Sequence, residues 1–340
     1  MAINIYDWVE LTVAVQKIEG KPQFLMSNIF KNKVQHATEK IAWEEIVQGK
    51  NLSKFRGKYA DPSPVKSEVG KNTKSFSLPR IYESKALNVR DLATVSNSVQ
   101  VVPSSVNDVI GNTDAIILGE LKALKDRVTN TIEWMCAQAI SKGEIVVSGD
   151  DVTYEYNFGF ENTKHFVTPA TAWSSDSSKP LNDLIKWKQA IWRRTGTSPT
   201  MVLMGADALD AFIANEAVLK ALNNLNYQVG KLSLTNTVDS GALYVGSFSG
   251  LDIYGYSNVY GTSDAFDTDK VVLIAPSDDL AIHFGPIVRV DDTGKTQVFA
   301  QDMLVETIPG RYKEKVEITI ESWPLPIVPN PDLIIVADVV

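Results

Sequence analysis

The stretch Thr113–Gly143, TDAIILGELKALKDRVTNTIEWMCAQAISKG, is the longest regular segment of this sequence. Its apolar and small residues recur at steps of three and four, as on one face of an α-helix: Ile117, Leu121, Leu124, Val128, Ile132, Met135 and Ala139. Polar residues between them, including Glu133, are expected to stay in water. Asn112 or Thr113 can cap the start, and Gly143 can adopt the left-handed turn at the end. The pattern predicts one helix of about 30 residues, roughly 45 Å long, which we call the spine.

A β-hairpin is predicted directly after the spine. Glu144–Ser148 and Val152–Phe158 alternate between apolar and polar residues, and Gly149-Asp150-Asp151 between them is typical of a tight turn. A long helix that leads into a hairpin is therefore expected to organise the fold.

Further helices and strands are predicted towards the C-terminus. Pro180 begins an amphipathic pattern that ends at Gly196, and Ala208–Leu222 resumes helical spacing as a single segment. Strands are predicted at Thr200–Met204, Ala242–Val245, Leu251–Tyr256, Val271–Ala275 and Lys315–Ser322.

The composition is that of an ordinary globular protein. Of the 340 residues, 44% are hydrophobic and 22% are charged. The single cysteine, Cys136, excludes an internal disulfide framework, and its place on the spine favours a packed thiol over a nucleophile. No apolar run is long enough for a transmembrane helix, and the first residues have no basic leader, so we expect neither a membrane span nor a signal peptide. These features predict a cytoplasmic protein.

The charge is distributed unevenly along the chain. The whole chain carries −8, yet Lys50–Arg80 has eight basic and two acidic residues, a net charge of +6. The remainder has 25 basic and 39 acidic residues, a net charge of −14, and Gly250–Gly310 alone has ten acidic and three basic residues. A general nucleic-acid binder is disfavoured by this balance.

The basic segment Lys50–Arg80 is predicted to form a two-stranded ribbon. Glycines and prolines punctuate it, and Ser75–Leu78 alternates as a strand does. An isolated hairpin is marginal in water, so the ribbon needs a surface to rest on. We interpret it as an arm that reaches an acidic surface of another subunit; the alternative is a solvated basic loop.

Residues from Met1 to about Lys33 are predicted to form an N-terminal arm. Trp8, Leu11, Val15 and Ile18 fit one short amphipathic helix, and Phe24 and Phe30 follow it. Such an arm packs either on its own subunit or on a neighbour.

The motifs of catalysis are missing from the sequence. Gly70-Lys71 lacks the other residues of a phosphate-binding loop, and Gly246–Gly250 has phenylalanine where a nucleophile elbow needs serine. The three histidines, His36, His165 and His283, lie far apart in the sequence with no partner at ligand spacing. We therefore predict no catalytic residue, no cofactor and no metal site.

The order of these elements resembles that of the major capsid proteins of tailed phages, and most closely the lambda-type major head protein (the capsid E family). The resemblance covers nearly the whole chain. It is carried by Pro22–Leu25, Thr38–Ile41, Ala139–Gly143 running into Val146–Gly149, Trp173-Ser174, Phe212–Leu222, Pro324–Pro326 and Asn330–Asp332.

The resemblance implies an α+β fold of the tailed-phage and herpesvirus capsid type, with a spine helix, peripheral domain, axial domain, extended loop and N-terminal arm. The implied boundaries are residues 1–49 for the arm and lead-in, 50–84 for the extended loop, 85–180 with 309–340 for the peripheral domain, and 181–308 for the axial domain.

The function implied by the resemblance is a shell subunit. Such proteins form hexamers and pentamers that close into an icosahedral head around double-stranded DNA, without sequence-specific binding, in the cytoplasm of the host bacterium. The expected partners are other copies of the chain, a scaffolding protein, a portal and a decoration protein. The expected inter-subunit contacts are Lys50, Lys54, Phe55, Arg56, Lys58, Tyr59, Lys66, Lys71, Lys74 and Arg80 in the loop, and Trp8, Phe24 and Phe30 in the arm.

Three alternatives remain at this point. A nanocompartment shell of the same fold would enclose enzyme instead of DNA. An α/β hydrolytic enzyme would act as a monomer through Asp or Glu residues. A nucleic-acid-binding module would use Lys50–Arg80 with Phe55, Tyr59 and Phe76.

Overall fold

A computed structural model describes residues 8–18, 20, 23–44, 73–88, 106–149, 153–223, 232–239, 241–260, 263–290, 294–309 and 315–340. The helices are α1 Trp8–Lys17, α2 Phe24–Asn28, α3 Val106–Ser141, α4 Pro180–Thr195, α5 Ala206–Ala214 and α6 Glu216–Asn223, with a 3₁₀ turn at Pro331–Leu333. The strands are β1 Asn32–Gln35, β2 Lys40–Glu44, β3 Thr73–Ser77, β4 Ile81–Asn88, β5 Glu144–Ser148, β6 Thr153–Asn157, β7 Phe166–Val167, β8 Met201–Met204, β9 Leu232–Asp239, β10 Ala242–Phe248, β11 Leu251–Gly255, β12 Val259–Tyr260, β13 Ser263–Asp264, β14 Lys270–Ile274, β15 Ala281–Phe284, β16 Ile287–Val290, β17 Thr296–Phe299, β18 Leu304–Pro309, β19 Lys315–Ser322, β20 Pro324–Ile327 and β21 Ile334–Asp338.

The predicted spine is the unbroken helix α3, which has 36 residues and a length of about 54 Å. All seven residues of the predicted apolar stripe are buried. The predicted cap at Asn112 or Thr113 is wrong, because the helical backbone already begins at Val106. Gly111 and Asn112 are weak helix formers, but extending a helix that has already nucleated costs little. The end is as predicted: Gly143 has a φ of +67°, and a Cβ there would lie 2.3 Å from the Phe160 ring.

The hairpin and the second helix are confirmed. Strands β5 and β6 pair antiparallel from Glu144↔Asn157 to Ser148↔Thr153. Helix α4 ends at Gly196, which has a φ of 82° and donates its N–H to Trp192 O.

The predicted single helix Ala208–Leu222 is wrong, because α5 and α6 are separated at Asn215. The Asn215 side chain accepts a hydrogen bond from Ala217 N (3.0 Å) and donates one to Ser178 Oγ (2.7 Å). It therefore caps α6 and favours an extended backbone where the helix would otherwise continue.

A seven-stranded sheet in the order β7-β21-β14-β8-β11-β10-β9 forms the core. Strands β8 and β11 run parallel, as do β21 and β7, and the other neighbours are antiparallel. The central strands read MVLM, KVVLI and IIVAD, near-continuous apolar runs that suit burial on both faces.

The two faces of this sheet are covered by different parts of the chain. Successive residues of a strand point to opposite faces. On β11 the Tyr254 ring meets Phe24 of the arm, with centroids 4.9 Å apart, whereas a Cβ on the next residue, Gly255, would lie 2.6 Å from the Leu209 side chain of α5. The arm therefore covers one face and α5 covers the other, and the glycine permits the close approach of α5.

A three-stranded sheet, β18-β19-β4, flanks the spine. Arg127 of the spine binds Glu83 of β4 through two hydrogen bonds, 2.6 and 2.9 Å long. The strand pairings do not follow the predicted domain boundary at 308/309. Strand β18 crosses that boundary, and β21 lies beside β14 in the seven-stranded sheet.

Candidate assembly interface

The predicted ribbon has a regular base formed by β2 and β3. These strands pair antiparallel from Lys40↔Ser77 to Glu44↔Thr73. The strand predicted from the alternation of Ser75–Leu78 is confirmed as β3, but the outgoing strand begins at Lys40, ahead of the predicted start at Lys50. We call β2 and β3 the ribbon base.

The ribbon base is attached to the hairpin that follows the spine. The ring of Phe76 meets the Tyr156 ring edge-on at 5.5 Å, and Tyr156 Oη donates a hydrogen bond to Ser77 O (2.6 Å). Burial raises the pKa of Tyr156, so its hydroxyl stays protonated and remains a donor. The ribbon base is therefore fixed to the hairpin at the end of the spine.

The returning end of the ribbon is held by Arg80. Its Nε donates to Glu321 Oε1 (2.8 Å), Trp323 Nε1 donates to the same oxygen (2.8 Å), and Arg289 binds the other oxygen. The Glu321 side chain is only 3% exposed. Burial alone raises the pKa of such a carboxyl, but these donors outweigh burial and lower it. Glu321 is therefore a charged anchor for the ribbon.

Two of the ten predicted loop contacts, Lys74 and Arg80, lie within the described residues. Lys74 lies on β3 opposite Trp43, and Arg80 is exposed beside Glu321. The others lie outside the described residues: Lys50, Lys54, Phe55, Arg56, Lys58, Tyr59, Lys66 and Lys71.

The aromatic residues of the arm lie inside their own subunit. Phe24 and Phe30 are each 1% exposed, the opposite of the predicted contact with a neighbour. Their burial follows from the contact of α2 with the spine and with Tyr254. Trp8 begins α1, and its side chain is outside the described part of the structure.

Glu133 of the spine holds this arm. The residue is 0% exposed, although the sequence suggested that it stays in water. Its carboxylate accepts hydrogen bonds from Leu25 N (2.7 Å), Met26 N (3.0 Å) and Tyr256 Oη (3.1 Å). Two of these donors, Leu25 N and Met26 N, lie in the first turn of α2, where backbone N–H groups have no partner within the helix. Such groups favour a nearby negative charge. The spine, the arm and the sheet therefore meet at one carboxylate.

The burial of Glu133 has an electrostatic cost. Burial raises the pKa of this carboxyl, and the three hydrogen bonds only partly offset the effect. The sequence directly after Glu133 indicates its burial. The segment Trp134–Ile140 has apolar residues on nearly every side of the helix, which is typical of a helix that is buried on all sides.

Two histidines that are distant in sequence contact each other. His36 Nε2 lies 2.7 Å from His283 Nδ1, and the rings stack with centroids 5.0 Å apart. The two residues are far apart in the sequence, as noted above, so only the fold reveals that they are partners. The parallel pairing of β1 with β15 ends with Gln35 opposite Phe284 and brings the two rings together. Burial and the neighbouring His36 lower the pKa of His283 to about 4, and burial lowers the pKa of His36.

Cys136 and His165 have structural roles. Cys136 is fully buried as predicted, and burial raises the pKa of its thiol. His165 binds Asp332 Oδ1 at 3.1 Å and accepts Glu161 N–H at Nδ1 (2.8 Å), which fixes the turn before β21. Among the described residues there is no group of three or more His, Cys, Asp or Glu side chains arranged to hold a metal.

A cavity of about 370 Å³ lies between α1, the spine and Phe284. Lys125, one of the residues that line this cavity, donates hydrogen bonds to Val15 O and Ile18 O, both 2.8 Å long. These bonds satisfy carbonyl groups at the C-terminal end of α1. The lysine is thus engaged in holding the arm. None of the helices in the described ranges is apolar over a length that would span a bilayer.

No curated protein matches this chain by sequence. A solved structure described as a prophage capsid protein from Escherichia coli CFT073 matches all of both chains with a TM-score of 0.71 and 14% identity. The mature capsid of bacteriophage PhiM1 has a TM-score of 0.51 and 12% identity, with 90% of this chain and 83% of that chain covered.

A shell protein of another kind shares the architecture. The encapsulin SrpI of Synechococcus elongatus has a TM-score of 0.53 and 10% identity, with 96% of this chain and 89% of that chain covered. These likenesses show that the fold is the capsid fold predicted from the sequence. The sequence model of the family described as "Phage major capsid protein E" matches residues 7–339. Since that match spans nearly the whole sequence, this chain belongs to the phage major capsid protein E family.

Proposed function

We propose that this chain is the major head subunit of a tailed phage, which assembles with itself into hexamers and pentamers that close into an icosahedral shell around double-stranded DNA. The family match over residues 7–339 carries this proposal.

The ribbon supports the proposal as the reaching segment. Both its ends are fixed, through Phe76 on Tyr156 and through Arg80 on Glu321. Between the paired ends, residues 45–72 hold six basic and three acidic residues, while the whole chain carries −8. A cationic segment on an anionic subunit favours contact with another copy, each copy donating a ribbon and accepting one.

The proposed domains keep their predicted roles, but β7 and β21 move to the axial domain and β18 moves to the peripheral domain. The axial domain is built around the seven-stranded sheet, and β18 belongs with β19 and β4 beside the spine. The arm is proposed to stay on its own subunit because Phe24 and Phe30 are buried there.

The proposed partners are a scaffolding protein, a portal and a decoration protein. The shell is proposed to assemble in the host bacterial cytoplasm, to enclose DNA without reading its sequence and to have no catalytic activity. The net charge of −8 on each subunit disfavours adhesion of DNA to the shell.

The test is electron microscopy of the purified chain after expression in bacteria. Wild-type protein should form closed particles. The triple variant Lys54→Glu, Arg56→Glu, Lys58→Glu should yield folded subunits and at least tenfold fewer particles. The matched control Lys31→Glu, Lys122→Glu, Lys220→Glu makes the same charge change at exposed lysines outside the ribbon and should assemble. Equal particle yields from the two triple variants would refute the role of the ribbon.

A nanocompartment shell is the second candidate, because the encapsulin SrpI shares the fold. The contents of the particles distinguish a phage head from a nanocompartment. DNA inside particles isolated from infected or induced cells supports a phage head, whereas a single packaged enzyme supports a nanocompartment.

A further inference from the structure

The outgoing and the returning strand of the ribbon join the body at the same place. On the outgoing side, His36 N donates to Phe284 O (2.9 Å) and continues the parallel pairing of β1 with β15. On the returning side, Leu78 N donates to Glu39 O (3.0 Å). We call these two segments, residues 36–39 and 78–80, the ribbon root.

The ribbon root packs against the end of β15. Gly285 follows this strand directly, and a Cβ there would lie 2.7 Å from Leu78 Cδ1 and 3.0 Å from Trp323 Cβ. Leu78 is 1% exposed, so the returning strand is tightly packed at this point. Both sides of the root therefore contact the short segment that joins His283 to Gly285.

The two histidines lie on the face of the sheet that the root covers. Successive residues of a strand point to opposite faces, and Val34 is directly opposite His283 in the register. His36 is two residues after Val34, and Gly285 is two residues after His283, so both lie on this same face. The contact of His36 Nε2 with His283 Nδ1, 2.7 Å long, is therefore next to the contact between Leu78 and the body.

The contact between the two rings depends on their protonation. At 2.7 Å one nitrogen donates a proton and the other accepts it, which requires that at least one ring is neutral. When both rings are imidazolium, both nitrogens carry a hydrogen and neither can accept. The hydrogen bond is then lost, and two positive charges face each other. Both residues are partly exposed, so protons from solvent can reach them.

The charged groups around the pair give little compensation for a second proton. Most of those in the described residues are already in ion pairs, namely Lys33 with Asp302 and Arg80 with Glu321. Lys33 also points to the opposite face of β1. Glu39 and Lys40, one of each sign, are exposed on the outgoing side. Strands β15 and β20, with the sequences AIHF and PLPI, have no carboxylate.

The pH range of the effect follows from these surroundings. Burial and the neighbouring His36 lower the pKa of His283 to about 4, and burial lowers the pKa of His36. The joined pair therefore binds fewer protons than the separated pair, so acid favours separation. The change is expected between the ordinary histidine pKa of about 6.5 and about pH 4.

We propose that the His36–His283 pair is an acid-sensitive latch at the ribbon root, which holds the outgoing strand on β15 near neutral pH and releases it when both rings are protonated. The inference rests on the proposed function, in which the ribbon contacts a neighbouring copy. Release of the outgoing strand removes one attachment of the ribbon to its own subunit. Acid should therefore weaken contacts between subunits before it unfolds the body.

The first test is amide hydrogen exchange of unassembled subunits at pH 7.5 and pH 4.5, corrected for the intrinsic exchange rate at each pH. In wild type, protection of residues 36–41 and 76–80 should fall about tenfold in acid, the effect of one unit of pKa shift. Protection of the spine at residues 128–140 should not fall, which separates release of the root from unfolding of the subunit.

Two variants of His36 isolate the latch. His36→Gln keeps a side chain that can donate to His283 Nδ1 but cannot take up a proton, so the root should stay protected at both pH values. His36→Arg places a permanent cation beside His283, so protection of the root should already be low at pH 7.5. The matched control Gln35→Arg adds the same charge on the opposite face of β1, beside Asp302, and should behave as wild type does.

The second test is particle yield, counted by electron microscopy at the same two pH values. Wild type and Gln35→Arg should give about tenfold fewer particles at pH 4.5 than at pH 7.5, following the loss of protection. His36→Gln should lose less than this. His36→Arg should give few particles at either pH.

Three outcomes would overturn the inference and leave the proposed function intact. One is the same pH dependence of exchange in wild type and His36→Gln, and another is a fully protected root in His36→Arg at pH 7.5. The third is exchange confined to β1 with the root protected, which would assign the pair to the arm alone. Absence of particles from wild type at pH 7.5 would instead count against the proposed function.

Discussion

The N-terminal arm and the ribbon were both predicted to reach a neighbouring subunit, yet they are attached to the body in contrasting ways. The arm is embedded: Phe24 and Phe30 are 1% exposed, and a buried carboxylate, Glu133, binds two of its backbone N–H groups. The described ends of the ribbon are held by Phe76, which packs on Tyr156, and by Arg80, which binds Glu321. The arm thus contributes to the stability of one subunit, whereas the ribbon can contribute to contacts between subunits.

The arm and the ribbon differ because the arm buries apolar side chains in its own subunit, whereas the ribbon is rich in cations. A buried phenylalanine contributes several kcal/mol to its own fold and leaves nothing for a neighbour. A cationic loop contributes little to its own fold, because exposed charges are well solvated, and its attraction appears when an anionic partner approaches. Stability and assembly can therefore be altered separately.

The largest effect is expected from Phe24→Ala in the arm. Removal of this buried ring should lower the free energy of unfolding by about 3–5 kcal/mol in urea denaturation of unassembled subunits. The matched change Phe55→Ala in the ribbon should alter that free energy by less than about 0.5 kcal/mol but reduce the particle yield. Equal losses of stability in both variants would contradict the contrast between arm and ribbon.

A smaller effect is expected from Glu133→Leu, which removes the acceptor for Leu25 N, Met26 N and Tyr256 Oη. Buried donors without a partner cost about 1–3 kcal/mol each, and relief from the buried charge offsets part of this, so we expect a loss of about 2–4 kcal/mol. Urea denaturation of unassembled subunits measures it. Proteolysis near residues 18–24 should also become faster. Glu133→Gln, which keeps one acceptor oxygen, is the control and should lose less; an equal loss would show that the hydrogen bonds are not responsible.

The smallest effect is expected from acid at the His36–His283 pair, which joins the arm to β15. Because both pKa values are lowered in the folded state, the unfolded chain binds protons first. Stability should therefore fall as the pH drops from about 6.5, the ordinary value, to about 4. After allowance for solvent screening we expect a loss of about 1–2 kcal/mol.

The variant His283→Phe isolates this dependence, because it keeps an aromatic ring and removes the titrating group. Its unfolding free energy should change less between pH 6.5 and pH 4 than that of wild type. Glu133 acts in the opposite direction, since its raised pKa makes acid favour the folded form, but its contribution is the same in both proteins and cancels. Parallel pH profiles would exclude the histidine pair as the source.

Local features of this fold could be predicted from the sequence. The spine, the hairpin after it and helix α4 are specified by residues within one or two turns of each other, such as Gly143 and Gly196 at the helix ends. The predicted start of the spine follows the weak helix former Gly111, whereas the helix begins at Val106, three residues after Pro103. The break at Asn215 depends on Ser178, which lies 37 residues earlier.

Only part of the candidate interface could be predicted from the sequence. The positive charge of the ribbon follows directly from its composition. The role of Glu133 depends on Leu25, 108 residues away, and His36 meets His283 across 247 residues. No short-range pattern encodes such contacts, since they form only when the sheet has brought distant segments together.

The interior position of β21 has a consequence for synthesis in the cell. This strand lies between β14 and β7, and it is translated after every other strand described in the sheet. Roughly 60 residues separate it from β14, and at about 5–20 residues per second the edge of β14 waits some seconds for its partner on the ribosome. A nascent subunit therefore has an incomplete sheet while its ribbon is already made. Delayed completion of the sheet would keep unfinished chains from joining a growing shell.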